Sequence, residues 1–326
     1  SNIMAVFQTK KILSISAFII ILIAILWLFQ DNITKISMFQ KNIQQSDNIK
    51  EAINENAYLE KIDNFVIKEY SNEQLLLHIV EAETYSRKKN KPVELLNVKV
   101  TTYDEFGQKG IVLTSNRAEI LESGEIFFNG EVNIQSKNGV SHEVNTESLI
   151  VFSNNGQIKS NRKVTYLGEN AKIDAQGMEM NIEDDTMSLI GKTIINQDSG
   201  SVIETINLFV SHTDGKKLYK STGKTFYNSN DSEVSADKGM DLDMNENLMK
   251  LLGKVEILNS GGSTMGGSTI DSYNLIVDQS NGREVYKSND STHYQTQVSD
   301  IRAKRMHYDA KTKKVELMGG VLGVYK

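Results

Sequence analysis

The chain has no cysteine and only one proline, Pro92, in 326 residues. Without cysteine there are no disulfides and no thiolate metal sites. Proline cannot donate to a β ladder, so its scarcity leaves long uninterrupted ladders permitted. A basic excess is missing as well. The net charge is -6, and no Lys/Arg cluster supplies the electrostatic footprint of a nucleic-acid binder. The histidines, His78, His142, His212, His293 and His307, lie far apart, and no H-x-x-x-H or H-E-x-x-H spacing occurs. The glycine-rich stretch from Gly261 to Thr269 has no lysine before its Ser-Thr pairs and no helical pattern after it, so it is not a phosphate loop. Paired acids on one face, Asp241 with Asp243 and Glu81 with Glu83, read as solvated strand faces. With aromatics at 7%, the stacking platforms of a glycan-binding module are not suggested. No segment after residue 60 shows a 3.6-residue apolar period over twelve or more residues. These absences leave an all-β protein, with no catalytic residues, metal site, cofactor or nucleic-acid partner expected.

What is present begins with Lys10 and Lys11, followed by an apolar run from Ile12 to Phe29 broken only by Ser14 and Ser16. Eighteen helical residues span about 27 Å, close to the hydrocarbon thickness of a bilayer. The leading lysines and Asp31 orient the amino end to the cytoplasm, and Trp27 falls where an interfacial aromatic is favoured. The run predicts one transmembrane helix with everything after residue 31 outside the inner membrane. A cleaved signal peptide is the alternative, but no small-x-small cleavage site follows the run.

Beyond residue 60 strand-like alternation does not stop, and a phrase repeats within it. Met178 and Gly191, Met240 and Gly253, Met306 and Gly319 are each separated by thirteen residues, with Ala175, Ala236 and Ala303 just ahead of the methionines. Met178, Met180 and Ile182 share one strand face; Met240, Leu242 and Met244 share another. Polar turns follow, as in an antiparallel hairpin. Lys159-Ser160, Lys220-Ser221 and Lys287-Ser288 precede the copies, and Leu149-Ile-Val151, Leu208-Phe-Val210 and Leu275-Ile-Val277 precede those pairs. From Gly130 the spacing runs 61, 62 and 66 residues, so one β unit is stacked on copies of itself. The apolar faces predict a greasy interior, and periodicity alone leaves it either a filled core or an open slot. Nine of the eleven methionines lie at or beyond residue 178, which favours a slot for mobile apolar ligands.

The anchor followed by Ala118, Gly130-Glu-Val132, Thr146-Glu-Ser-Leu149, Ala175-Gln-Gly-Met178 and Leu189-Ile-Gly191 resembles the LptC family, inner-membrane-anchored components of the lipopolysaccharide transport bridge. Residues 198–326, with Ala236-Asp-Lys, Leu252-Gly-Lys-Val255, Ala303-Lys-Arg-Met306-His-Tyr308-Asp and Leu317-Met-Gly-Gly-Val321, resemble the LptA (OstA-like) family of periplasmic bridge components. Two departures stand out. The two kinds of component are joined in one chain, and Ile120 stands where the first copy would have methionine, with Gly130 only ten residues on.

The resemblance implies four parts: 1–31 a cytoplasmic stub and anchor, 32–58 a periplasmic tether, 59–197 an LptC-like and 198–326 an LptA-like domain continuing the same stack. It implies an elongated open antiparallel β-jelly roll of stacked strands, in the periplasm of a Gram-negative bacterium. The candidate lipid-binding residues are Phe128, Met178, Met180, Ile182, Leu189, Met240, Leu242, Met244, Leu251, Met306, Tyr308 and Leu317. Its implied partners are lipopolysaccharide and the inner-membrane lipopolysaccharide ABC transporter, the latter through an edge near residues 62–80. A terminal strand over 315–325 would meet the outer-membrane translocon or a further bridge protein. The recurring lysines read either as a rim for lipid phosphates or as solvated strand residues. An anchored structural or adhesive β-solenoid with a sealed core is the competing reading.

Overall fold

The computed structural model describes residues 58–71, 73–103, 106–136, 143–152, 155, 157–167, 171–181, 186–213, 216–243, 246, 248–259 and 267–326. The predicted anchor, the tether up to residue 57 and the glycine-rich stretch 260–266 lie outside them. Among the described residues no helix is long and apolar enough to cross a membrane. Their one helical turn is the 3-10 segment Ser280–Gly282. All other regular structure is antiparallel sheet, as the alternation predicts.

In chain order come β1 (Tyr58–Tyr70), β2 (Leu76–Lys88), β3 (Val93–Tyr103), β4 (Lys109–Ile120), β5 (Glu125–Ser136), β6 (Glu143–Phe152), β7 (Gln157–Ser160) and β8 (Val164–Leu167). Then follow β9 (Ala171–Ala175), β10 (Gly177–Asn181), β11 (Thr186–Gln197), β12 (Val202–Thr213), β13 (Lys216–Ser221), β14 (Thr225–Asn228), β15 (Glu233–Ala236) and β16 (Met240–Asp243). Last are β17 (Leu248–Asn259), β18 (Ser268–Asp278), β19 (Val285–Ser288), β20 (Thr292–Gln295), β21 (Ser299–Ala303), β22 (Arg305–Asp309), β23 (Lys314–Met318) and β24 (Leu322–Tyr325). The described strands fall into two compact units. Unit 1 holds β1 to β8 and β10; unit 2 holds β9 and β11 to β24.

In unit 1 the long strands β1 to β6 run in succession before the short ones begin, whereas in unit 2 pairs of long strands alternate with sets of short ones. One half of β6 pairs with β7 and the other half with β8. In unit 2, β12 divides in the same way between β13 and β14, and β18 between β19 and β20. β6, β12 and β18 therefore each belong to two walls and bend where they pass between them. The first wall of unit 2 carries β13, β16, β19, β22 and β23; the second carries β9, β14, β15, β20, β21 and β24.

The bend is written into the backbone. Gly191, Asn207, Gly253 and Asn274 have φ of 75°, 57°, 76° and 49°, and the ladders β11–β12 and β17–β18 shift register there. Glycine and asparagine tolerate this left-handed region. The asparagines also supply a bond: Asn207 Oδ1 accepts from the Gly191 amide at 2.7 Å, and Asn274 Oδ1 from the Gly253 amide at 3.0 Å. A bulge adds one residue, so alternation slips by one without turning the apolar face outward. On β12, Ile203 and Thr205 are buried before the bend and Leu208 and Val210 after it.

Unit 1 bends likewise at Gly130 (φ 78°), between a buried Phe128 and a buried Val132. Ile120 and Ile126 face each other in an ordinary hairpin, so the missing methionine does not disturb the pairing of β4 with β5. Two boundary expectations are corrected. The edge element of unit 1 is β1 alone, because β2 is hydrogen bonded on both sides. Residues 315–325 are two strands, not one: β23 pairs with β22 on the first wall and β24 with β21 on the second. Gly319 and Gly320, at φ 78° and 74°, end the first strand before the second can begin.

Candidate functional site in the apolar interior

Cross-strand pairing converts the repeated phrase into rows of side chains. In unit 2 one inward row runs Met187, Val210, Tyr219, Leu242, Met249, Val277, Tyr286, Tyr308 and Val315 across the first wall. Leu242 and Val315 are half-buried, and the other members are buried. Nearer the bend a second row contains Leu189 beside Leu208, Met240 beside Leu251 and Leu275, and Met306 beside Leu317. In unit 1, Met180, Ile158, Val151 and Ile126 form the equivalent of the first row, and Phe128 faces Leu149 in the second.

The fold thus brings together the predicted residues of each unit on inward faces. Met178, Met240 and Tyr308 are 0% exposed, and Phe128, Met180, Leu189, Leu251 and Met306 are also buried. Leu317, like Leu242, is half-buried. Ile182 and Met244 lie outside the described residues. Sequence reading missed Met187 and Met249, although each stands two places before a residue it named, Leu189 and Leu251, and so shares its face. Tyr219 and Tyr286 were missed too, directly ahead of the Lys-Ser pairs. Burial pushes the pKa of the Tyr286 hydroxyl up, and the neighbouring Glu284 carboxylate adds to the shift. Tyr166, Tyr227 and Tyr308 are raised chiefly by burial as well.

The serines of those pairs have a role that spacing did not reveal. Thr205 Oγ1 lies 2.6 Å from Ser221 Oγ and 2.8 Å from Thr225 Oγ1, all buried. Ser272 Oγ donates to Ser288 Oγ at 2.7 Å and lies 3.0 Å from Thr292 Oγ1, while Thr146 meets Ser160 at 2.9 Å. Each knot ties a bend to the short strands beside it and satisfies hydroxyls that would otherwise be costly to bury. The lysines point outward: Lys159 pairs with Glu179 at 3.5 Å and Lys287 with Asp278 at 3.7 Å. They are solvated residues of the outer wall face. Among the described residues no group of three or more His, Cys, Asp or Glu side chains could hold a metal ion.

The family model for lipopolysaccharide-assembly, LptC-related proteins matches residues 17–197 and 212–326. The chain belongs to that family. Membership makes it an LptC-related component of the lipopolysaccharide transport bridge, an inner-membrane-anchored periplasmic class of protein. No curated protein matches the chain. The second matched stretch coincides with most of the segment expected to be LptA-like.

Proposed function

We propose that this LptC-related protein takes lipopolysaccharide acyl chains between its two strand walls and passes them from the inner-membrane ABC transporter toward the outer membrane. The observation behind this reading is the row structure: apolar side chains stand at the same two levels on strand after strand, with methionine in both rows. A chain sliding past such rows meets similar surroundings at each step, and no single well would trap it. Burying an acyl chain of about twelve carbons gains on the order of 9 kcal/mol at about 0.8 kcal/mol per methylene. In this reading residues 12–29 are the anchor, 59–197 the LptC-like and 198–326 the LptA-like part of an open jelly roll. β1 serves the transporter. β23 and β24 serve the outer-membrane translocon or a further bridge protein by strand addition.

One observation favours a second reading. Met178, Met240 and Tyr308 have no exposed surface, which suits a sealed structural solenoid. Photo-crosslinkers at Met180, Met240 and Tyr308, with outward controls at Glu179 and His307, separate the two. Lipid transport predicts ATP-dependent capture of lipopolysaccharide at the three inward positions. Capture at the outward positions alone would sink it in favour of the solenoid.

A further inference from the structure

The bends join the two walls of unit 2 along one margin, and along the other both walls end in turns. The second wall ends there in the turn between β14 and β15, residues 229–232. The first wall ends in residues 279–284, before β19, and in the turn 310–313 between β22 and β23. Among the described residues no backbone hydrogen bond joins the turn of the second wall to those of the first, yet side chains do. Among the described residues, Gln279 Nε2 donates to Tyr227 Oη at 3.0 Å and Ser229 Oγ donates to Glu284 Oε1 at 3.1 Å. Lys313 Nζ donates to the carbonyl oxygen of Asp231.

These contacts adjoin the first row, the one farther from the bends, at Tyr286. Tyr286, buried in that row, donates to the same Glu284 carboxylate oxygen that accepts from Ser229 on the opposite wall. Glu284 is itself buried, so its charge rests on donors from both walls. Behind it the packing is incomplete in polar terms. Ser232 lies near enough to Tyr308 and Tyr286 to favour their ionised forms. Even so, Tyr308 Oη and Ser232 Oγ are buried without a sound hydrogen bond. Separating the walls would let water reach both hydroxyls and recover their desolvation cost. The side-chain bonds across the margin are few, each worth on the order of threefold to tenfold in an equilibrium.

We propose that Tyr227, Ser229 and Asp231 on one wall and Gln279, Glu284 and Lys313 on the other form a latch over a lateral entry, through which acyl chains reach the interior of unit 2. The proposal rests on the transport reading above and adds the route. It reconciles fully buried lipid-contact residues with a mobile cargo: the closed state is the resting one, and chain entry exchanges three polar bonds for apolar burial.

The full chain contains no native cysteine, so Ser229→Cys with Glu284→Cys gives one possible disulfide across the margin. Fluorescent lipopolysaccharide in detergent micelles is offered to the protein oxidised and reduced, and the uptake rate is read. The latch predicts uptake in the reduced form, loss on oxidation and recovery with reductant. Equal uptake in both forms overturns the latch and leaves the transport reading standing. Absence of uptake by the unmodified protein overturns both. A second variant decides the matter if the cysteine pair does not fold: Gln279→Ala with Lys313→Ala should raise the uptake rate about fivefold. An unchanged or slower rate also overturns the latch.

Discussion

Thr205 meets both Ser221, the last residue of β13, and Thr225, the first of β14, so one hydroxyl fixes three segments at a bend. Thr205→Val keeps the shape and takes one hydrogen bond from each of two buried hydroxyls, which retain their bonds to the Ile206 and Gly223 carbonyls, at a cost of about 1–3 kcal/mol. The expected result is a lower denaturant midpoint with unchanged slope. A sharper residue-level contrast lies between two glycines. At Gly239, φ is 96° and a Cβ would fall 1.9 Å from the Ser221 carbonyl oxygen. At Gly107, φ is 74° but a Cβ meets nothing within 4 Å. Gly107→Ala should cost only the left-handed strain of about 1–2 kcal/mol. Gly239→Ala adds a backbone collision and should cost more than about 4 kcal/mol, or prevent folding. Parallel chemical denaturation of the two variants checks the ordering.

At the scale of elements, the last strands are held partly by carboxylates that acid will release. Asp300 on β21 is kept below its ordinary 3.8 by a hydrogen bond from His293, and Glu316 on β23 below its ordinary 4.5 chiefly by Lys314, with His307 assisting. Because the folded values are depressed, these groups stabilise fully above the ordinary carboxylate range. Their contribution is lost as pH falls below 4.5 and then through the folded values. Thermal midpoints recorded from pH 6 down to pH 3 should fall, and Asp300→Asn should flatten part of that decline. Edge strands make a different prediction. Leu322 and Val324 are largely exposed on β24. Leu322→Glu with Val324→Glu should therefore change stability by less than about 1 kcal/mol, while weakening docking of a strand-adding partner in a pull-down.

The strands themselves were legible because alternation over ten residues has few other meanings, and the joining turns of β16–β17 and β22–β23 fall where polar residues interrupt it. What stayed hidden was the bend. Its sign in the sequence is a one-place slip, as in Ile203, Thr205, Leu208 and Val210, which a strict period of two reads as noise. The same slip conceals the hydroxyl knots, since Ser221 and Ser288 look like surface residues until register sets them beneath Thr205 and Ser272. The split of 315–325 was signalled by Gly319-Gly320. It was overlooked because two adjacent glycines can also belong to a flexible strand end.

Taken as a whole molecule, the protein is expected to gain stability from its cargo in proportion to occupancy. Lipopolysaccharide at a hundred times its dissociation constant should add about 2.7 kcal/mol by mass action, seen as a raised midpoint in differential scanning fluorimetry. Tetra-acylated and hexa-acylated forms at equal occupancy should then give similar shifts. Absence of any shift with saturating ligand would count against binding inside the fold.

The bends at Gly191 and Gly253 occupy equivalent places, 62 residues apart. Excising the intervening segment would join one bend to the entrance of the next with faces and ladders still matched, and duplicating it would do the same in reverse. Genes for such chains can be lengthened or shortened by whole increments that keep the strand pairing, although excision of this one also removes Tyr227, Ser229 and Asp231. Natural selection could in this way set how many rows of apolar side chains the interior carries.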